Sequence, residues 1–183
     1  MGEQGEWGIA IGSLDAANLN TWRKYAEARA KDKYPNLKLV ATEVTKENEN
    51  ESRAKVEAML NGFPTLKGIV AFDSNSLPGA CEAVKRADKI GQVAIVGNSV
   101  PGKMRPYVNA GVLECFFLWN PVDLGELTIR CAKALADGKE LKAGVQLDGW
   151  KELRFSERDP RVIIMSDPIR FTKQNIDQYD FGI

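Results

Sequence analysis

The chain has no histidine, which removes the commonest general base and the commonest metal ligand. Its three cysteines, Cys81, Cys115 and Cys131, are widely spaced and form no Cys-x-x-Cys pair. They read as small apolar core residues, not as a zinc site or a disulfide framework. Net charge is missing as well, since 25 basic residues balance 25 acidic ones. A neutral surface offers no bulk attraction to nucleic acid or to an anionic membrane, and neither is expected as a partner. No apolar run approaches the ~18 residues a membrane span needs. The opening stretch, Met1-Gly2-Glu3-Gln4-Gly5-Glu6, is acidic and carries no apolar signal core, so the chain as it stands reads as soluble and unexported. Enzyme signatures are largely absent. The first apolar run is followed by Gly12-Ser13-Leu14-Asp15, which is neither a dinucleotide fingerprint nor a phosphate loop. There is no Gly-x-Ser-x-Gly elbow, and a serine triad would lack its histidine. No catalytic residue, metal or cofactor is expected.

What is present is an alternation. With 183 residues and 44% hydrophobic content, the chain can build one ordinary core, or one and a fraction. Short apolar runs at Trp7 to Ser13, Leu37 to Val44, Ile69 to Phe72, Val93 to Val96 and Val112 to Trp119 read as strands. Helical patterns lie between them. The first runs from about Asn20 to Tyr34 with Trp22, Tyr25, Ala26 and Ala30 on one face, and Asn18 or Asn20 can cap it. The second places Val56, Met59 and Leu60 on one face and closes at Gly62. The third, from Leu77 to about Ile90, turns Leu77, Ala80, Cys81 and Val84 inward. The fourth spans Lys103 to Ala110, and Arg105 on it reads as a surface charge. Strands and helices in this order predict an α/β fold, a doubly wound parallel sheet with right-handed crossovers. After Trp119 the pattern changes. Asn120-Pro121-Val122-Asp123 is a helix start, and Leu124, Leu127, Cys131 and Leu135 give that helix an apolar face. Residues 139–160 read as irregular, and runs at Arg161 to Met165 and Pro168 to Thr172 as a pair of strands.

In open α/β sheets, ligands bind outside the carboxyl ends of the strands. The polar turns there hold Asp15 and Asn18, then Asp73 and Ser74, then Asn98 and Ser99, then Trp119 and Asn120. Carboxylate and amide groups hydrogen-bond hydroxyls, and an indole face packs on the apolar side of a sugar ring. The candidate ligand contacts are therefore Asn18, Asp73, Ser74, Ser99, Trp119 and Asn120. Each also has a purely structural reading. Asn18 caps a helix as readily as it meets a ligand, Asp73 and Ser74 are natural turn formers, Ser99 shapes a turn beside Pro101, and Trp119 suits a core.

The phrases Ile-Val-Ala-Phe-Asp-Ser-Asn-Ser-Leu-Pro-Gly-Ala (69–80), Ala-Ile-Val-Gly-Asn-Ser-Val-Pro-Gly-Lys-Met-Arg-Pro-Tyr-Val (94–108) and Asn-Ile-Asp-Gln-Tyr-Asp-Phe (175–181) resemble type 1 periplasmic sugar-binding proteins. Within that family they resemble the autoinducer-2-binding and rhamnose-binding branch of ABC importers. The resemblance covers nearly the whole chain but only the later part of the family's longer, two-lobed members. It implies a periplasmic-binding-protein-like lobe over residues 1–119. Residues 120–160 would be a helix and irregular segment that in full-length relatives belongs to the N-terminal lobe, and residues 161–183 a return. The family's pocket positions fall on Asn18, Asp73, Ser99 and Trp119. Two positions depart from the autoinducer-2 binders: Asn18 and Leu19 stand where those have an acid and an amide, and Phe72 where they have proline. A pentose or deoxyhexose is thus as fitting a ligand as autoinducer-2.

The implied function is that of a solute-binding component of a sugar ABC transporter. Its partners would be a small-molecule sugar, the permease subunits and the missing N-terminal lobe, with the full-length parent periplasmic or an extracellular lipoprotein. The alternative is the effector-binding region of a sugar-responsive repressor, which shares this fold and would carry a helix-turn-helix upstream. With no first lobe to cover it, the apolar face after Pro121 is expected to be buried in a dimer, by segment exchange, or against its own lobe.

Overall fold

The computed structural model describes residues 1–181. The first elements are β1 (Gly5–Ile11), α1 (Ala17–Lys33), β2 (Leu37–Val44), α2 (Glu49–Gly62), β3 (Leu66–Ala71), α3 (Ser76–Arg86), β4 (Ala94–Gly97), α4 (Pro101–Asn109) and β5 (Cys115–Leu118). They alternate as the sequence predicts. β1 to β4 form one parallel sheet in the order β2-β1-β3-β4. The chain therefore leaves β1 toward β2 on one side and resumes on the other side with β3. That reversal of strand order lies between β1 and β3.

β1 explains why helices cover both faces. Successive side chains of a strand point to opposite faces. Trp7, Ile9 and Ile11 face one way and join Leu19 and Phe72, with Trp22, Ala26 and Ala30 of α1 packed against them. Gly8 faces the other way, and the Met59 side chain of α2 occupies the space where its Cβ would stand. α2 and α3 cross closely on that side. Val56, Leu77, Ala80, Cys81 and Val84 are wholly buried there, each large side chain adding about 1.5–3 kcal/mol by leaving water. Tyr25 departs from the expected inward face of α1 and is 54% exposed, while Leu19, near the start of the helix, is buried instead. The first helix also starts at Ala17 with Ala16 as its cap residue and no side-chain cap bond, so neither Asn18 nor Asn20 caps it. All three cysteines are free, but only Cys81 is fully buried; Cys115 and Cys131 are half-buried.

The chain divides into two compact units, Met1–Leu118 with the residues from Arg170 on, and Trp119–Ile169. In the first, β5 joins β4 through the parallel bridge between Asn98 and Phe117 and pairs with β8 (Ile169–Thr172). Phe171 of β8 stacks on Phe116 of β5 at 4.8 Å between ring centroids. Arg105 is more than a surface charge: it donates to the Tyr179 carbonyl at 2.8 Å and pairs with Asp177 at 3.0 Å, fastening the C-terminal segment to α4.

The second unit is built on α5 (Pro121–Ala136), started by Asn120, whose Oδ1 accepts from Val122 N at 3.0 Å. The stretch expected to be irregular supplies β6 (Arg154–Phe155), which pairs antiparallel with β7 (Ile163–Ile164). Hence the two apolar runs near the C-terminus do not pair with each other: β7 takes β6 as partner and β8 takes β5. Leu127 and Ala134 of α5 form a small core with Leu147 and Leu153, and Cys131 packs against it. Part of the apolar helix face is thus covered within the unit itself. Leu124 and Leu135 remain 43% and 59% exposed, and Val122 and Ile129 more so.

Candidate functional site

Three strands of the sheet end side by side in polar turns. β1 runs out at Ile11 into Gly12, β3 at Ala71 into Phe72 and Asp73, and β4 at Gly97 into Asn98 and Ser99. Main-chain bonds carry the alignment past the strand ends, from Phe72 N to Ala10 O at 3.0 Å and from Asn98 N to Ala71 O at 3.2 Å. Gly97 is required here because a Cβ would run into the Ala71 carbonyl.

Asp73 organises the middle turn. Its Oδ1 accepts from Asn75 N at 3.0 Å and from Ser76 N at 2.8 Å, and its Oδ2 accepts from the Ser76 hydroxyl. A carboxylate holding the free amides of a first helical turn is a cap, and the positive end of the helix favours its charge. Behind it lies a buried polar chain. The Thr45 and Ser76 hydroxyls are 2.6 Å apart, and Ser52 Oγ donates to Ser76 O at 2.7 Å. Because the Ser76 proton goes to Asp73, Thr45 must donate to Ser76, so one relay of O–H groups ends on the carboxylate. Thr45, Ser52 and Ser76 are wholly buried and Asp73 is 8% exposed.

Ser99 is wholly buried, and its hydroxyl donates to the Ser74 carbonyl at 2.9 Å. This bond ties the turn after β4 to the turn after β3. Asp73, Ser74 and Ser99 are therefore brought together. Asn18 is exposed in the first turn of α1 and makes no bond with those three, while Asp15 N is held by Ser13 Oγ at 3.0 Å. Trp119 and Asn120 open the second unit, where Asn120 caps α5 and its Nδ2 donates to Asp123 at 2.9 Å.

Two residues at this edge carry no sequence signal of their role. Lys46 and Glu47 both adopt left-handed backbone, φ 55° and 53°, a conformation that costs a non-glycine residue about 1–2 kcal/mol. Asn75 holds them, its Nδ2 donating to Glu47 O at 2.8 Å while its Oδ1 accepts from Lys103 Nζ at 2.5 Å. The loops after β2 and β3 and the first turn of α4 are joined through this one amide. The Glu47 side chain lies across Gly12, where an added Cβ would overlap Glu47 Cγ and stand 3.1 Å from Asp73 Oδ2. Ser76 could have been found from Asp-x-x-Ser at a helix start; Thr45 and Glu47, which come from the loop after β2, could not.

A cavity of about 260 Å³ lies along α3 and α4, lined by Glu82, Lys85, Lys103 and Tyr107 among others. Glu82 there pairs with Lys85 at 3.9 Å and with Arg86 at 2.8 Å, and Lys103 donates to Asn75. Burial, helped by Glu82 and Glu49, pushes the Tyr107 phenol up to about 12.

A family model described as "Periplasmic binding protein domain" matches residues 1–140. The D-allose-binding periplasmic protein of Escherichia coli is 26% identical over 153 residues, 84% of this chain and 48% of that protein. A sugar ABC transporter structure from Actinomyces odontolyticus superposes with a TM-score of 0.84 at 28% identity, covering 98% of this chain and 59% of the other. LsrB from Clostridium saccharobutylicum, solved in complex with AI-2, gives a TM-score of 0.84 at 23% identity over 96% of this chain and 59% of its own, a likeness of fold. The chain spans about half the length of the curated relative. These relatives are named for binding and transport, not for catalysis.

Proposed function

The chain belongs to the periplasmic binding protein domain family, and from that membership we propose that it is part of the solute-binding component of a sugar ABC transporter. Its ligand would be a small neutral sugar or sugar-like molecule, held without a cofactor and without chemical change. One observation carries the reading. The polar turns after β2, β3 and β4 are fastened together beside the reversal of strand order, through Ser99 to Ser74 and Asn75 to Glu47, and that reversal is where ligands of open α/β sheets bind. The proposed contacts are Asn18, Ser74 and the Asp73 and Ser99 turns, and separately, from the sequence alone, Asn120 and the indole of Trp119.

The relatives' greater length supports a further, N-terminal lobe in the parent protein, with residues 1–119 as the C-terminal lobe, 120–160 as a segment belonging to the N-terminal lobe, and 161–183 as the return. The parent is proposed to work in the periplasm, or outside the cell as a lipoprotein, and to hand its ligand to permease subunits. Closure of two lobes adds contacts from both sides. This chain alone is therefore expected to bind weakly, with millimolar dissociation constants. Two-dimensional NMR titration of the 183-residue chain with D-allose, L-rhamnose and D-arabinose tests the proposal. Gly12 and Ser74 amides are expected to shift saturably with at least one sugar. A spectrum that none of the three perturbs would overturn the sugar reading, and micromolar affinity would overturn the half-site reading.

A further inference from the structure

We propose that Glu47, outside the six candidates read from sequence, is the carboxylate that accepts ligand hydroxyls at this edge, and that Asp73 is a positioning residue. The inference rests on the sugar-binding reading above and assigns the acceptor within that site.

Asp73 is committed to its own turn. Two backbone amides and the Ser76 hydroxyl already converge on its two oxygens, and 8% of its surface is exposed. A carboxylate so occupied keeps little capacity for a ligand. Glu47 is in the opposite condition. It is exposed, and its carboxylate has no hydrogen-bond or ion-pair partner among the described residues. Its side chain nevertheless has a defined place over Gly12, at the end of β1 and beside Asp73 Oδ2. Strand order reverses between β1 and β3, so this gap is the switch point of the sheet.

The backbone shows that the placement is enforced. Lys46 and Glu47 are consecutive non-glycine residues with positive φ, and such conformations persist only where surrounding structure over-determines them. Here Asn75 does so, holding Glu47 O while it is itself gripped by Lys103. Gly12 completes the arrangement, since any side chain there would fill the gap that Glu47 and Asp73 share. A free carboxylate presents two oxygens to hydroxyls on adjacent carbons, through charge-assisted bonds. The Glu47 and Asp73 side chains flank one gap, and carboxylates there disfavour an anionic ligand. The ligand class is thus a neutral polyol with a vicinal diol, not a sugar acid or a sugar phosphate.

The test repeats the NMR titration with the Glu47→Gln and Asp73→Asn variants of the same chain, and measures the thermal midpoint of each. Glu47→Gln removes the charge from the acceptor and should weaken sugar binding about tenfold, with an unchanged midpoint, because the side chain is exposed and unpartnered. Asp73→Asn should lower the midpoint and, at a temperature where the variant is folded, keep most of the affinity. Wild-type affinity in Glu47→Gln would overturn the assignment while leaving the sugar reading intact. A folded Asp73→Asn variant that no longer binds would overturn it as well. If the unaltered chain binds none of the three sugars, the sugar reading falls, and this assignment with it.

Discussion

Ser76 shows how much a single hydroxyl can hold. It donates to Asp73, accepts from Thr45, and lends its carbonyl to Ser52, all out of reach of water. Ser76→Ala keeps the carbonyl but leaves the Thr45 hydroxyl without an acceptor and strips a donor from the Asp73 carboxylate. A buried polar group left unsatisfied costs about 1–3 kcal/mol, so the variant should lose roughly that much stability. Thr45→Val removes the other end of the relay, yet Ser76 still donates to Asp73 and nothing charged is orphaned. Its loss should be smaller, about 1 kcal/mol or less. Urea unfolding of both variants checks the order. If Thr45→Val proves the costlier, the relay does not run toward Asp73 as its geometry indicates.

At the scale of elements, the tight crossing of α2 and α3 depends on a residue that helix propensity would reject. A Cβ on Gly79 would stand 2.6 Å from Ser52 Cβ and collide with the Glu49 carbonyl. Gly125, inside α5, has nothing within 4 Å. The same substitution should therefore act with opposite sign. Gly79→Ala forces the helices apart, at a cost of about 1–3 kcal/mol for overpacking, which outweighs the helical gain. Gly125→Ala should stabilise α5 by up to about 1 kcal/mol. Thermal unfolding of the pair decides it, and a stabilising Gly79→Ala would mean the crossing is looser than its contacts indicate. Such contrasts also mark what could be read in advance. β2 was legible to its bounds, Leu37–Val44, because a run rich in apolar and β-branched residues lies between Pro35-Asn36 and the polar stretch from Thr45, although as an edge strand it leaves Leu39 38% exposed. The inward residues of α3 were legible because their spacing is helical. The start of α1 was not, since Ala16 caps it without a side-chain bond. The partners of β7 and β8 were not either, because strand pairing is decided by distant segments. In the site, Asp73, Ser74 and Ser99 stood out as polar residues ending apolar runs. Glu47 did not, because its place comes from a left-handed backbone that its own residue type does not favour.

For the molecule as a whole, the remaining problem is the apolar surface that α5 leaves exposed. The helix buries Leu127 against its own unit, which answers part of the apolar face seen in the sequence. It leaves Val122, Leu124, Ile129 and Leu135 at 67%, 43%, 70% and 59% exposure. Side chains of that size on one helix exceed the scattered apolar surface normal for a monomer. In a longer parent, the further lobe is the proposed cover. For the chain of 183 residues, a second copy is the proposed cover, through a two-fold interface in which each α5 meets its equivalent. The interface would be apolar, so association should survive high salt, unlike contacts between exposed charges. Leu135 is the residue to change because it flanks the packed stripe of Leu127, Cys131 and Ala134 yet is 59% exposed. Leu135→Glu should return a dimer to the monomer while leaving the thermal midpoint of a dilute sample unchanged. Sedimentation equilibrium of the unaltered chain and the variant, across a range of concentrations, measures both masses. A monomeric mass for the unaltered chain at high concentration would show that α5 tolerates its exposed face, and would remove the dimer from the account.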